Sequence, residues 1–362
     1  RAPHLLSWAE SATLAVLPNA PSLIYPGKNQ TLLLKKRNKL LKKLFIKGFI
    51  NIEQYELSKD EPLPEKPLRL PQLTPHFLNY AVKKGLKGKR ILSTIDGGLQ
   101  RRVTKLIQYQ HERLAMNQID NLAVLILDVK KNCVVSYIGN SNCKKANCGS
   151  KVDIIQAKRS SGSTLKPFLY AGMIEDGTLL KDELLEDVPI KISGYAPLNF
   201  DRTYDGAVPA SEALTRSLNI PAVKLLQKYG VEKFLTNLKQ LNFKSINKEA
   251  SHYGLSLILG GAECTLWELC NAYYLMSKVA QNKTPFEIKI QKNIKETKRE
   301  LNYLSAASIY QILKILTKTN RPSGEGAWKI FDSTKPIAWK TGTSFGQRDA
   351  WAIGVNPEYV VG

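Results

Sequence analysis

The first 60 residues carry apolar positions at helical spacing. They predict one helix over LSWAESATLAVL and a second over QTLLLKKRNKLLKKLFIKGFI, separated by the helix-breaking segment PNAPSLIYPGKN. The second helix combines a leucine face with seven lysine and arginine residues between Lys35 and Lys47. A helix of this kind either packs its leucines on a neighbouring helix or lies on an anionic membrane, and both interpretations stay open here.

A proline-rich segment follows these helices. Five prolines between residues 62 and 75 predict an extended linker and a domain boundary. After it, RILSTIDGGLQRRVTKLIQYQHERL predicts a strand, a turn and a long helix. We therefore divide the chain into a helical region over 1–60, a linker region over 61–118 and a domain over 119–362.

The pattern in the third region predicts strands at both ends of a helical middle. The β-branched runs LAVLILDV and CVVSYIG, joined by KKN, predict an antiparallel hairpin. Helical spacing dominates residues 163–280, and strands return at PIAWKTGTS and DAWAIGV. The predicted class is α+β, with one central antiparallel sheet and a helical subdomain.

The charge of the chain favours a polyanionic neighbour. Its 53 lysine and arginine residues and 31 acidic residues give a net charge of +22. The sign of the charge does not choose between nucleic acid, anionic lipid and a phosphate-bearing substrate, although no recognised nucleic-acid module is present. No apolar run approaches the ~20 residues that span a bilayer. Since no signal peptide opens the chain, we expect any membrane anchor upstream of RAPHLLSWAE.

Cysteine and histidine spacing predicts no zinc site, because neither CxxC nor HExxH occurs. Cys143 and Cys148 share a polar loop, where they form either a disulfide or two separate thiols. Cys270 follows a capping-box start at Thr265 and Glu268 and is expected in a helical core.

One Ser-x-x-Lys motif stands out by its context. Ser163 precedes TLKPFLYAGMI, whose apolar positions fit a helix face, so Ser163 is predicted at a helix N-terminus. Lys166 lies on the same face and, if desolvated, can accept the serine proton. Pro167 is tolerated in a first helical turn. The same spacing at 141–144 and 245–248 lacks this setting.

Two further motifs carry polar groups at turns. Residues 217–219 (Ser-Leu-Asn) are predicted at the end of a helix that stops at Asn219, before Pro221 opens another. Residues 340–344 (Lys-Thr-Gly-Thr-Ser) end a predicted edge strand, which can pair with a bound peptide. Gly342 allows the ligand backbone to come close.

Taken in order, the three motifs resemble those of penicillin-binding proteins and serine β-lactamases. LSWAESATLAVLPNAPSLIYPGKN resembles the closing helices of a family 51 peptidoglycan glycosyltransferase. LNFDRTYDGAVPASEALTRSLNIPAV and KTGTSFGQRDAWAIGV resemble the transpeptidase of class A penicillin-binding proteins. The resemblance implies a glycosyltransferase remnant over 1–60 and a penicillin-binding transpeptidase domain over 119–362, truncated at its C-terminal end.

The resemblance also implies a role for each motif residue. Ser163 would be the acyl-accepting nucleophile and Lys166 its base. Ser217 and Lys340 would relay protons to the leaving and incoming amines, and Asn219 would orient the substrate amide.

The strand residues would bind the substrate. Thr341 and Thr343 would hold the donor carboxylate, and Gly342 and Ser344 would line the same strand. The amides of Ser163 and Thr343 would form the oxyanion hole.

The implied protein is a bacterial cell-wall enzyme on the outer face of the cytoplasmic membrane, in the periplasm. Its transpeptidase would cross-link stem peptides ending in D-Ala-D-Ala, without a cofactor, and β-lactam antibiotics would acylate it. The parent protein would also polymerise glycan from lipid II, a reaction for which a divalent metal stays open. No nucleic-acid partner is expected.

Some features depart from the family pattern or leave the activity open. Leu218 replaces the aspartate of Ser-Asp-Asn, and no deacylating glutamate is found, so a long-lived β-lactam adduct is expected. The glycosyltransferase portion lacks its EDxxFxxHxG segment, and EYVVG falls in the next predicted strand. A D,D-carboxypeptidase and a non-catalytic sensor of β-lactams or wall peptides remain alternatives.

Overall fold

The chain forms two compact units, Arg1–Gln72 and Leu73–Gly362. The computed structural model describes residues 2–19, 21–66, 72–143, 148–192, 194–319 and 335–362. Prolines 67 and 71 of the predicted linker lie outside the described residues. The division into 1–60, 61–118 and 119–362 stays a prediction.

The first unit is helical, as predicted. Its helices are α1 (Trp8–Val16), α2 (Gln30–Ile46) and α3 (Ile52–Asp60). Ser7 and Asn51 form capping boxes that start α1 and α3, because each side chain accepts a hydrogen bond from a first-turn amide. This helical unit fits the predicted glycosyltransferase remnant.

Helix α2 uses part of its predicted leucine face, and one of its basic residues, inside this unit. Leu33 and Leu41 are buried in two small apolar clusters. Arg37 is also buried and donates hydrogen bonds to the carbonyl oxygens of Lys59 and Glu61, which satisfies the C-terminus of α3. In the described part of the chain, no helix has the length and apolar character needed to cross a bilayer.

The second unit is built around a five-stranded antiparallel sheet with strand order β2-β1-β9-β8-β7. The strands of this unit are β1 (Val124–Asp128), β2 (Cys133–Ile138), β3 (Arg159–Ser160), β4 (Leu184–Asp187), β5 (Gly206–Pro209), β6 (Glu263–Cys264), β7 (Ala338–Thr343), β8 (Ala350–Val355) and β9 (Tyr359–Val361). Its helices are α4 (Pro75–Ala81), α5 (Gly97–Ala115), α6 (Lys166–Glu175), α7 (Ala210–Thr215), α8 (Asn219–Tyr229), α9 (Val231–Gln240), α10 (Ala250–Tyr253), α11 (Leu266–Ala280) and α12 (Ala306–Leu316).

Both faces of the sheet are covered by helices. In β1, Leu125 and Leu127 join the main core, whereas Ile126 packs with Cys133 and Val135 of β2. Helix α5 lies on the Ile126 face and α11 lies on the opposite face. Since alternate residues of a strand point to opposite faces, the unbroken apolar run of β1 is the pattern of a strand buried on both sides.

The structure confirms most of the predicted elements in this unit and adds short strands. The β1–β2 hairpin, the long helix α5, the capping box of α11 and the returning strands β7 and β8 are all present. The predicted strand at RILST is wrong, because it makes only an isolated bridge between Ser93 and Gln291. The helical middle also contains the short pairs β3–β6 and β4–β5.

Candidate active site

Ser163 lies in a short helical turn directly before α6. This turn, Gly162–Leu165, is a 3-10 helix, and Lys166 is the first residue of α6. The prediction of a helix N-terminus is therefore displaced by one turn, because the tighter 3-10 geometry precedes the α-helix. Pro167 occupies the first turn of α6, where its missing N–H leaves no intrahelical bond unmade.

The edge strand β7 packs backbone against backbone on this serine turn. A Cβ atom built on Gly342 would lie 2.9 Å from the carbonyl oxygen of Ser161 and 3.1 Å from the amide nitrogen of Ser163. One built on Gly162, which has φ +52°, would lie 2.7 Å from the amide nitrogen of Thr343. A side chain at either position would collide with backbone atoms of the protein, so both positions require glycine. This close packing brings the backbone segments that carry the Ser163 and Thr343 amides together.

The connection between α7 and α8 presents Ser217 at a left-handed position. The Ser217 amide donates to the carbonyl oxygen of Leu214, and the Leu218 amide donates to that of Ala213. This pair of bonds is a Schellman motif, and Ser217 takes the φ of +62° that glycine usually supplies there. The prediction that the helix ends at Asn219 is thus wrong, because α7 ends at Thr215 and Asn219 begins α8.

Lys166 is buried at the centre of the site. Its Nζ donates to the carbonyl oxygens of Ser217 and Leu218 at 2.7 and 2.9 Å and to Oδ1 of Asn219 at 2.8 Å. Three acceptors match the three N–H bonds of an ammonium. Burial, and secondarily the charge of Lys340, nevertheless hold the pKa of Lys166 well below its ordinary value. The side chain is therefore positioned as a donor but gives up its proton readily.

Lys340 links the edge strand β7 to the segment between α7 and α8. Its Nζ donates to Oγ of Ser217 and to the carbonyl oxygen of Thr341, each at 2.7 Å. Burial lowers the pKa of Lys340 from 10.5 to about 7. Two amines of lowered pKa therefore flank Ser217, one at its hydroxyl and one at its carbonyl oxygen.

Replacing Lys340 with methionine is expected to raise the free energy of unfolding more at low pH than at high pH. The folded pKa of about 7 lies below the ordinary 10.5, so between these values the unfolded chain binds more protons. The contribution of Lys340 to stability therefore rises with pH across this window, and methionine removes that dependence. The gain should be about 3 kcal/mol larger at about pH 6 than at about pH 9 in urea unfolding. Lys314→Met, at an exposed position of α12, is the control; equal gains at both pH values for Lys340→Met would contradict this prediction.

A buried polar network that the sequence reasoning missed holds Asn219 in place. Oδ1 of Asn199 accepts hydrogen bonds from the amides of Asn219 and Ile220, at 2.9 and 3.3 Å. Nδ2 of Asn199 in turn donates to Asp187 and to the carbonyl oxygen of Thr203. Asn199 lies in the segment LNFDRTYDG, but its spacing carried no local signal, since its partners Asp187, Asn219 and Ile220 come from other parts of the chain.

The remaining strand residues divide between surface and interior. Along β7, Thr341 and Thr343 are exposed, whereas Lys340, Gly342 and Ser344 are buried, as strand alternation requires. The hydroxyls of the two threonines are accessible to a ligand. Oγ of Ser344 instead accepts a hydrogen bond from the Asp349 amide at 2.8 Å and closes the β7–β8 turn. Ser344 therefore makes a turn-forming contact, and its predicted role among the substrate-binding groups stays a prediction.

The two other Ser-x-x-Lys sites lie in unrelated settings. Ser141 is buried, and its Oγ donates to the carbonyl oxygen of Asp120. Its partner in the motif, Lys144, lies outside the described residues. The amide of Ser245 donates to the side chain of Glu268, which belongs to the α11 capping box.

Comparisons with known proteins show which family this chain resembles. A family model described as the penicillin binding protein transpeptidase domain matches residues 122–358. The whole chain is 36% identical to penicillin-binding protein 1C of Escherichia coli (strain K12), of which it spans 46%. Over 66% of the chain it is 26% identical to penicillin-binding protein 1A of Neisseria lactamica, over 31% of that protein. A crystal structure of penicillin-binding protein 1A from Haemophilus influenzae matches with a TM-score of 0.73 at 18% identity, covering 100% of this chain and 76% of that one.

These matches confirm the predicted fold class and the resemblance to class A penicillin-binding proteins. The chain spans less than half of the Escherichia coli relative, and the match to Neisseria lactamica covers about a third of that protein. All three motifs lie inside the matched range 122–358. The chain therefore belongs to the penicillin-binding protein transpeptidase family.

Proposed function

We propose that this chain is a serine D,D-transpeptidase that cross-links the stem peptides of peptidoglycan through an acyl-enzyme. The observation that carries the proposal is the hydrogen-bonded set of Lys166, Ser217 and Lys340, together with the packing of the Lys340 strand on the Ser163 turn. Two buried amines of lowered pKa beside a serine at a helix start form a site that can remove and return protons at neutral pH.

Acylation begins at the hydroxyl of Ser163. Its proton passes to neutral Lys166 while Oγ attacks the carbonyl carbon of the penultimate D-alanine. The amides of Ser163 and Thr343 donate to the developing oxyanion, a preorganised arrangement that lowers the barrier. The C–N bond to the terminal D-alanine then breaks, and its amine takes a proton through Oγ of Ser217, which Lys340 supports.

Deacylation transfers the peptide to an amine. The acceptor amine attacks the ester carbonyl of the acylated Ser163, and one of its protons leaves through the same Ser217 route. Ser163 recovers its proton as the ester C–O bond breaks, which regenerates the starting enzyme with a new amide bond. Asn199 accepts a hydrogen bond from the backbone amide of Asn219 at the N-terminus of α8, and Nδ2 of Asn219 donates to the carbonyl oxygen of Leu198. The side-chain amide of Asn219 is thereby held where it can orient the peptide chain.

The proposal extends to penicillin and to the cellular setting. A β-lactam carbonyl acylates Ser163 in the same way, and the ring amine stays attached and impedes attack by water. The parent protein acts on the outer face of the bacterial cytoplasmic membrane through an upstream anchor and polymerises glycan from lipid II. Support for this setting comes from similarity along the whole chain to penicillin-binding protein 1C.

The function is tested with a synthetic stem peptide ending in D-Ala-D-Ala and an amine acceptor. We expect release of D-alanine and, by mass spectrometry, a new amide product whose share over the hydrolysed peptide rises with acceptor concentration. Pre-incubation with penicillin should abolish both. Release of D-alanine with hydrolysis alone at every acceptor concentration would identify a carboxypeptidase, and no acyl adduct with either compound would identify a non-catalytic binder; either result overturns the proposal.

A further inference from the structure

A second cluster of reactive side chains lies near the C-terminal end of α5, apart from the serine site. A ring nitrogen of His111, a carboxylate oxygen of Asp120 and Sγ of Cys143 all lie within 4.8 Å of one another. These residues come from α5, from the connection before β1 and from the segment after β2. Their separation along the chain explains why no metal motif was visible in the sequence.

Buried hydrogen bonds hold the two connecting segments together. Asn140 accepts a hydrogen bond from the Leu122 amide at 3.2 Å and donates to Oδ1 of Asn121 at 2.8 Å. Oγ of Ser141 donates to the carbonyl oxygen of Asp120 at 2.9 Å. Since Asn140 and Ser141 are both buried, the backbone that carries the cluster is fixed by satisfied interior groups.

The imidazole of His111 is fixed in one tautomer. It is largely buried, and its Nε2 lies 2.9 Å from the carbonyl oxygen of Asp120. A carbonyl oxygen only accepts, so Nε2 carries the proton and the lone pair of the neutral ring lies on Nδ1. A hydrogen bond from one ring nitrogen to a backbone carbonyl is the usual way in which proteins orient a metal-binding histidine.

Cys148 places a second thiol beside Cys143, at the border of the cluster. The Cys148 thiol is hydrogen-bonded with the Cys143 thiol. Residues 144–147 lie outside the described part of the chain, and no disulfide joins the two described cysteines. The neighbouring carbonyl oxygen of Gly149 accepts a hydrogen bond from Asn140, which ties Cys148 to the same buried framework.

We propose that His111, Asp120, Cys143 and Cys148 form a binding site for a Zn²⁺-class divalent metal ion. One imidazole, one carboxylate and two thiolates are the donor types and the number that tetrahedral zinc takes. Metal–ligand bonds of about 2.0–2.3 Å put tetrahedral donors about 3.3–3.8 Å apart, so the donors of His111, Asp120 and Cys143, which lie within 4.8 Å of one another, close on the ion by about 1 Å. Binding displaces the thiol protons into solvent, because thiolates are the ligands.

The metal site would have a structural role, whereas the serine site has a catalytic one. It would tie the end of α5 to the segment that follows β2, which leads towards the serine turn. The ion would therefore stabilise the domain without taking part in acyl transfer. Its presence should raise the midpoint of thermal unfolding and leave penicillin acylation of Ser163 unchanged.

The test uses the full chain, kept reduced, with Zn²⁺ alone as the probe. We expect about one tightly bound zinc ion per chain after gel filtration. Bound zinc should protect Cys143 and Cys148 from alkylation, as mapped on peptides by mass spectrometry. With Co²⁺, thiolate charge-transfer bands and intense tetrahedral visible bands should appear, as expected for mixed sulfur and nitrogen ligands.

Variants separate this site from adventitious binding. His111→Ala and the double variant Cys143→Ser, Cys148→Ser should weaken zinc binding at least about a hundredfold, beyond the effect of losing an outer-shell partner. His252→Asn and Cys133→Ser, which change an imidazole and a thiol elsewhere, should retain it. Circular dichroism of each variant without metal shows whether it folds, and the alkylation readout on the unmutated chain does not depend on any variant. Zinc binding below one ion per chain, unchanged binding in His111→Ala, or a Cys143–Cys148 disulfide formed in air despite zinc would each overturn the proposal.

Discussion

Replacing Ser163 with alanine is expected to abolish covalent labelling by penicillin. Ser163 is the proposed acyl-accepting nucleophile, so the labelling rate should fall by at least about a thousandfold without it. The fold should survive, because Ser163 makes no cap to α6, whose N-cap position is Leu165. Its unfolding free energy should change by about 1 kcal/mol or less. Intact-mass spectrometry over time, with the adduct mapped to a peptide, makes the measurement.

The chain supplies its own controls for this experiment. Ser141→Ala and Ser245→Ala alter the two other Ser-x-x-Lys sequences, and both should label at the rate of the unmutated chain. Ser141 is buried and hydrogen-bonded to the Asp120 carbonyl, so its loss should appear in stability and not in labelling. Labelling of Ser163→Ala at the original rate, or an adduct mapped elsewhere, would separate the three motifs and remove the basis of the proposed site.

Replacing Lys166 with alanine is expected to slow acylation by about two to four orders of magnitude. The lysine accepts the serine proton in the transition state, and general bases contribute factors of this size. The variant should therefore still form an adduct with penicillin after long exposure, which distinguishes it from Ser163→Ala. Stopped reactions analysed by intact mass give the acylation rate constant, and digestion shows the adduct on Ser163.

Loss of Lys166 also leaves three acceptors without a donor, so stability needs its own control. Lys166→Gln keeps a donor towards the oxygens of Ser217, Leu218 and Asn219 but cannot act as a base. It should fold and still acylate slowly. Lys278→Ala removes another buried lysine, one over the Tyr274 ring on α11, and should acylate at the original rate. If Lys166→Gln acylates as fast as the unmutated chain, Lys166 is not the base.

The structure gives Gly342 a different physical role from the predicted one, and it explains the conformations of Gly162 and Ser217. Gly342 was expected to admit a ligand backbone, yet the closest atoms to its Cβ position belong to the serine turn. Gly162 meets Thr343 in the same way. The serine at 217 takes a left-handed conformation that costs about 1–2 kcal/mol for a residue with a side chain. In this conformation the Ser217 hydroxyl accepts a hydrogen bond from Nζ of Lys340.

The sequence alone determined the elements whose signals are local. The β-branched runs predicted the β1–β2 hairpin, and Thr265 with Glu268 predicted the start of α11. The apolar spacing after Ser163 predicted a helix there, and the structure starts α6 at Lys166, one turn after the predicted start. Each of these depends on neighbouring residues, because helical and strand periodicity is set within one segment.

Only the tertiary structure decided which segments meet. Lys166 obtains its acceptors from residues 51 to 53 positions away, and Lys340 reaches Ser217 across 123 positions. The same holds for the support of Asn219 by Asn199 and for the gathering of the His111 cluster. Periodicity reports which face of a segment is buried, whereas the partner of that face depends on how the whole chain closes and packs. The lowered pKa values of the two lysines follow from that burial, so no local pattern could have supplied them.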